Sequence, residues 1–138
     1  MITGFQMQQK VLFKHCDPAG IVFFPRYYEM INDCVETFFD TALGMPFERF
    51  HPHRAVPTAA IETRFIAPSR HGDLLDFRLV TAAVGRTSWT YRMTGACQTQ
   101  PRFETSATLV HVDANGTPTP WPDALRQKLT AYEAHNDP

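Results

Sequence analysis

Apolar and polar residues alternate loosely from residue 5 to 13, the period-two pattern of a half-buried strand. Asp17-Pro18-Ala19-Gly20 then interrupts with turn chemistry, since proline fixes one dihedral and glycine permits a positive one. Ile21 to Phe24 is a short extended run. From Pro25 the period lengthens: Tyr28, Ile31, Val35, Phe38, Phe39 and Ala42 recur at helical spacing. Pro25 suits a first helical position, where a missing N–H costs nothing. Gly44 stands where a C-terminal cap belongs, and Pro46 follows. The spacing predicts one long helix over residues 25–43, roughly 28 Å at 1.5 Å per residue.

Residues 45–54 read as a loop that carries His51, Pro52, His53 and Arg54. Four strand-like runs follow, at residues 56–67, 74–84, 87–98 and 103–112. Turn-rich separators divide them at residues 68–73, 85–86 and 99–101, and another closes the last at 113–116. Residues 122–134 read as a short terminal helix with Leu125, Leu129 and Tyr132 on one face. Strands in succession without intervening helices predict an antiparallel α+β fold and argue against a doubly wound one. One long helix with so many apolar positions needs a sheet that curls around it. That is the hot-dog arrangement: an antiparallel sheet around a central helix, plus a short C-terminal helix.

Composition narrows the setting. The 138 residues suit a single domain over 1–138, and 43% hydrophobic with 20% charged residues is ordinary for a soluble globular chain. A net charge of −1 gives no broad electrostatic case for nucleic acid or an anionic membrane. No window approaches ~20 apolar residues, and the first ten residues lack the basic and apolar regions of a signal peptide. Cys16, Cys34 and Cys97 are odd in number and widely spaced, which argues against a disulfide framework and points to a reducing cytoplasm.

Asp17 carries the candidate chemistry. By itself it is a turn aspartate able to bond a nearby backbone amide. Its turn, however, feeds straight into a helix N-terminus, whose unpaired amides form a partial positive charge. A carboxylate beside such an end can attack or activate water while the amides hold a developing oxyanion.

The run Asp17-Pro18-Ala19-Gly20-Ile21-Val22, then Phe23, Phe24, Pro25 and Tyr27, with Met7-Gln8-Gln9 upstream, resembles the 4-hydroxybenzoyl-CoA thioesterase family of hot-dog proteins. The likeness is sharpest from Met7 to Tyr28, and the order of segments agrees to about Asp113. It implies that Asp17 is the catalytic carboxylate and that the backbone amide at Phe24 polarises the thioester carbonyl. Gly20 and Tyr27 fall in the substrate-binding motif. Phe24 stands where the aromatic-acyl branch often has tyrosine, a change a backbone donor survives. The 4-hydroxybenzoyl enzymes place an aspartate near the ring hydroxyl where this chain has Asn32. That residue is by its own neighbourhood equally a solvated helix-face amide. The turn Gly85-Arg86-Thr87-Ser88 is by itself an exposed hairpin; the resemblance lays it along the CoA groove, where Arg86, Thr87 and Ser88 suit phosphate and pantetheine contacts.

Other polar residues read more plainly. Glu62 and Arg64 share a strand face as a solvated or interface pair, with Glu62 a second candidate acid. His51 and His53 lack a third metal ligand and read as surface loop residues. Cys16 and His15 are neighbours in an extended segment and point apart. The expectation is therefore an acyl-CoA thioesterase for an aromatic acyl group, with no metal or redox cofactor and with CoA entering as part of the substrate. Its rivals are a short-chain aliphatic acyl-CoA thioesterase of the same fold, and a non-catalytic module that binds acyl-CoA or acyl-carrier protein. The resemblance implies a homo-oligomer, at least a dimer and by preference a homotetramer, with the site across a subunit interface.

Overall fold

The computed structural model describes residues 4–134. Its sheet has five antiparallel strands in the order β1 (Phe5–Lys10), β4 (Leu74–Val84), β5 (Ser88–Cys97), β6 (Gln100–Val110) and β3 (Thr58–Phe65). The long helix α1 (Phe24–Thr37) packs on one face. Alternation decides that face: Leu75, Phe77 and Leu79 of β4, Trp89, Tyr91 and Met93 of β5, and Phe103, Ala107 and Leu109 of β6 are all buried. The helix answers with Tyr27, Met30, Ile31, Cys34 and Val35, its buried stripe. Tyr27 meets Phe103 at 5.3 Å, and Phe38, just past the helix, stacks on Trp89 at 5.5 Å. A short antiparallel pair, β2 (Arg54–Ala55) with β7 (Val112–Asp113), closes the end of the sheet where α1 finishes. Among the described residues no helix is long and apolar enough to cross a membrane.

The expected element order and the hot-dog arrangement are borne out, with local differences that have physical causes. The first strand stops at Lys10, and Phe13 falls in a 3-10 turn over Phe13–His15 with its side chain 81% exposed. The cause is His15, whose Nδ1 captures the Leu12 N–H at 2.8 Å and curls the chain. Regular helix ends at Thr37, and the turn widens over Phe38–Ala42, with Leu43 N–H bonding back to Phe38 O. Thr37 and Thr41 hydroxyls bond the carbonyls of Asp33 and Thr37 at this point, a contact that bends helices. The expected loop at 45–54 contains one helical turn, α2 (Phe47–Phe50), which buries Phe50 and packs both phenylalanines on Phe39. The terminal helix α3 spans only Asp123–Thr130, because the Tyr132 carbonyl is taken by the Thr81 amide of β4. The β5–β6 hairpin turns at Gln98 and Thr99, both at positive φ, one residue earlier than its sequence cues.

Strand β3 is unlike the others. It bonds only to β6, and every residue in it except Thr63 is exposed, including Ile61 and Phe65.

Candidate active site

Asp17 sits at the head of a small hairpin built by its own sequence. Its N–H donates to Ile21 O at 3.0 Å, the Gly20 N–H returns to Asp17 O at 2.9 Å, and Cys16 bridges Val22. Gly20 closes this turn at φ +83, a conformation that a side chain strains. One carboxylate oxygen, Oδ1, accepts the Ala19 N–H at 2.9 Å; Oδ2 has no partner among the described residues. The hairpin leads directly into α1. Phe23 N–H is bound to His15 O and Arg26 N–H to Phe23 O, both within 2.9 Å. Pro25 brings no N–H. The donor left at the helix mouth is therefore the Phe24 amide, the first of α1, which has no partner within the helix.

The hairpin is anchored to the sheet by the loop before β4. Val22 N–H donates to Ser69 O at 2.8 Å, and Ile21 bridges Arg70. Buried Arg102 holds that loop: its Nη1 lies 3.0 Å from Pro68 O, 3.1 Å from Ser69 Oγ and 2.8 Å from Asp73 Oδ2. The Arg70 amide, followed by Arg102, keeps the Asp73 carboxyl below its usual range. Tyr27 is part of this support. It is 4% exposed, its hydroxyl donates to Ser69 Oγ at 2.9 Å, and burial raises its pKa. Beside Tyr27, Phe24 and Phe65 meet at 5.8 Å on the rim of an open apolar groove.

Asn32 lies eight residues along α1 from Phe24, about 12 Å of helix rise. It lines a separate cavity of about 400 Å³ with Val35, Phe47, His51, Thr58 and Tyr91. Burial raises the Tyr91 phenol and pushes the nearby Cys34 thiol up to about 12, so that thiol stays protonated.

The turn at Gly85–Ser88 lies at the other end of β4 from the Asp17 hairpin, about 30 Å away along the strand. All four of its carbonyls are engaged. Arg126 Nη2 binds Gly85 O, Trp121 N–H binds Arg86 O, His111 N–H binds Thr87 O, and both Gly85 N–H and Trp121 Nε1 bind Ser88 O. A Cβ on Gly85 would meet Ser88 Oγ, which would have to rotate away. Arg86 itself is exposed, while Thr87 and Ser88 are half-buried.

Within one chain, then, Asp17, Gly20, Phe24 and Tyr27 come together, while Asn32 and the Arg86 turn stand apart from them. Glu62 is on the exposed edge strand, well outside the Asp17 turn. His51 was read as a surface loop residue, and Arg102 was not singled out by the pattern. A lone histidine after a four-residue helical turn has no periodic signal. Arg102 stands between the turn at 99–101 and the run that begins at Phe103, where no period marks it as buried.

A model of the thioesterase-like superfamily matches residues 11–129. The chain is 26% identical over 95 residues to the 4-hydroxybenzoyl-CoA thioesterase of Pseudomonas sp. (strain CBS-3), 67% of each protein. Among solved structures it resembles the gentisyl-coenzyme A thioesterase BH1999, with TM-score 0.83 at 23% identity over 91% of this chain and 99% of that one. It also resembles the 1,4-dihydroxy-2-naphthoyl-CoA thioesterase Slr0204 from Synechocystis, with TM-score 0.83 at 17% identity over 91% and 95%. A match over most of its length, on a hot-dog fold, makes the chain a member of the thioesterase-like superfamily and a thioester hydrolase.

Proposed function

We propose that this chain hydrolyses an aromatic acyl-CoA, of benzoyl or hydroxybenzoyl type, to the free acid and CoA. The observation that carries the reading is Asp17 on a turn that runs into a helix mouth, with its Oδ2 and the Phe24 amide both without a partner among the described residues. A thioester carbonyl held by that amide is polarised by the N–H and by the helix dipole. Asp17 then either attacks the carbonyl carbon, giving a mixed anhydride that water cleaves, or takes a proton from the attacking water. Either way the C–S bond breaks and CoA leaves as the thiol. Three relatives, each named as a thioesterase for a hydroxylated aromatic acyl-CoA, support the aromatic choice.

We also infer that the working unit is a dimer joined along β3. The exposed edge of β3, with Ile61 and Phe65, supports this. Pairing two copies antiparallel along that edge sets the Thr58 end of one opposite the Phe65 end of the other. Thr58 lines the Asn32 cavity and Phe65 touches Phe24. The cavity of one subunit then faces the Asp17 hairpin of its partner, which removes the separation of these groups seen within a chain. The Gly85–Ser88 turn of the cavity-bearing subunit comes to the same end. It is about 14 Å across the sheet at ~4.8 Å per strand, a span for the pantetheine arm.

Thiol release from a panel of benzoyl, hydroxybenzoyl and short aliphatic CoA esters tests the function. Asp17→Asn should keep the fold and lose at least about a hundredfold in kcat. Near wild-type turnover in a folded Asp17→Asn variant would remove Asp17 from the mechanism.

A further inference from the structure

His51 leaves the α2 turn and reaches the wall of the cavity that Asn32 also lines. Its Nδ1 lies 3.0 Å from the Phe47 carbonyl oxygen. A carbonyl can only accept, so Nδ1 bears the hydrogen in that contact, and in the neutral ring the lone pair is left on Nε2. A neutral His51 then carries an acceptor on a side chain that lines the cavity from a different element than α1. Asn32 contributes an amide, able to donate as well as accept, and Thr58 and Tyr91 contribute hydroxyls. Val35, Phe47 and Leu109 supply the apolar wall. None of these side chains is a carboxylate, a lysine or an arginine.

This set of groups selects among acyl groups. A chain with no polar end would strip water from Asn32, His51 and the two hydroxyls and return nothing. An acyl group ending in a carboxylate would find no lysine or arginine on the wall to neutralise it. A planar ring whose substituent carries its own hydrogen satisfies both demands: the ring lies on the apolar wall, and the substituent donates to an acceptor while accepting from an amide. When the Asn32 amide donates its N–H to that substituent, the substituent's own hydrogen needs an acceptor on a second side chain of the wall.

We propose that His51 is that acceptor: through Nε2 it selects acyl groups whose ring substituent donates a hydrogen bond, a hydroxyl or an amino group, over those that only accept or are unsubstituted. This rests on the acyl-CoA reading above.

The test is calorimetric titration with three non-hydrolysable CoA thioethers, carrying a phenacyl, a hydroxyphenacyl or a methoxyphenacyl group. Wild-type protein should bind the hydroxy compound most tightly. His51→Phe, which keeps a flat ring and removes the acceptor, should cut the hydroxy-over-methoxy preference about tenfold and leave the phenacyl compound within about twofold. His51→Gln, whose amide oxygen can still accept, should retain part of the preference. An unmoved preference in His51→Phe, or an equal loss on all three compounds, overturns the assignment. If wild type turns over aromatic acyl-CoA while the preference stays fixed, the proposed function stands and His51 falls alone. If wild type binds none of the three, the acyl-CoA reading falls and takes this one with it.

Discussion

His15 shows how much one side chain upstream of the proposed acid can decide. It is 4% exposed, and its Nδ1 accepts the Leu12 N–H, which puts the remaining hydrogen on Nε2. Its own carbonyl receives the Phe23 N–H at the entrance to α1. Burial, helped by Lys14 and Arg26 and opposed by Glu29 and Asp33, lowers its pKa from 6.5. The unfolded chain therefore binds more protons than the folded one below that value. The stability tied to neutral His15 is complete above about 6.5 and is lost as the pH falls toward the lowered pKa. The urea midpoint of the wild type should drop between pH 7.5 and 5.5. It should drop less in His15→Gln, whose side-chain oxygen can still accept from Leu12. Parallel drops in the two proteins would place the acid sensitivity elsewhere.

At the scale of elements, the loop before β4 couples the Asp17 hairpin to the sheet, and Arg102 is its fastening. Replacing Arg102 by methionine keeps much of the buried stem. It leaves Ser69 Oγ, Pro68 O and the Asp73 carboxylate without the guanidinium. Asp73 is partly exposed and keeps the Arg70 amide, so the cost should be moderate: about 2–4 kcal/mol of unfolding free energy, measured by denaturant titration. A loss below about 1 kcal/mol would mean that the loop holds without this network. The same region marks how far the elements were legible in the sequence. α1 and strands β4 to β6 carry clear periods of 3.6 and 2, so the fold could be read in advance, while the Asp17 turn showed itself only as turn chemistry ahead of a helix start. Arg102 could not be read in advance, because both it and Phe103 are buried next to the β5–β6 register shift between Gly95 and Ala96, where strict alternation fails. His51 read as a surface loop residue for a different reason. The fold of α2 onto Phe39 brings it to the cavity that Asn32 also lines, and no spacing along the chain encodes that placement.

For the whole molecule, the central question is whether one subunit can complete the site. Phe24 and Asn32 are separated by eight residues of rigid helix, about 12 Å, which is further than a single aromatic ring reaches. The proposed antiparallel β3 dimer would remove that distance by letting Asp17 of one copy serve the cavity of the other. This arrangement makes a prediction that a site within one chain does not share. Asp17→Asn removes the acid and leaves the cavity intact. Asn32→Trp, at an exposed position on α1, fills the cavity and leaves the acid intact. Each homodimer should be inactive. A heterodimer of the two, co-expressed with different tags and isolated by both, contains one site with Asp17 and an open cavity and one site with neither. Its activity per dimer should be about half that of wild type, since symmetry gives two equivalent sites. If each chain housed a complete site, every site in that heterodimer would carry one lesion, and the activity would stay at the background of the two parents.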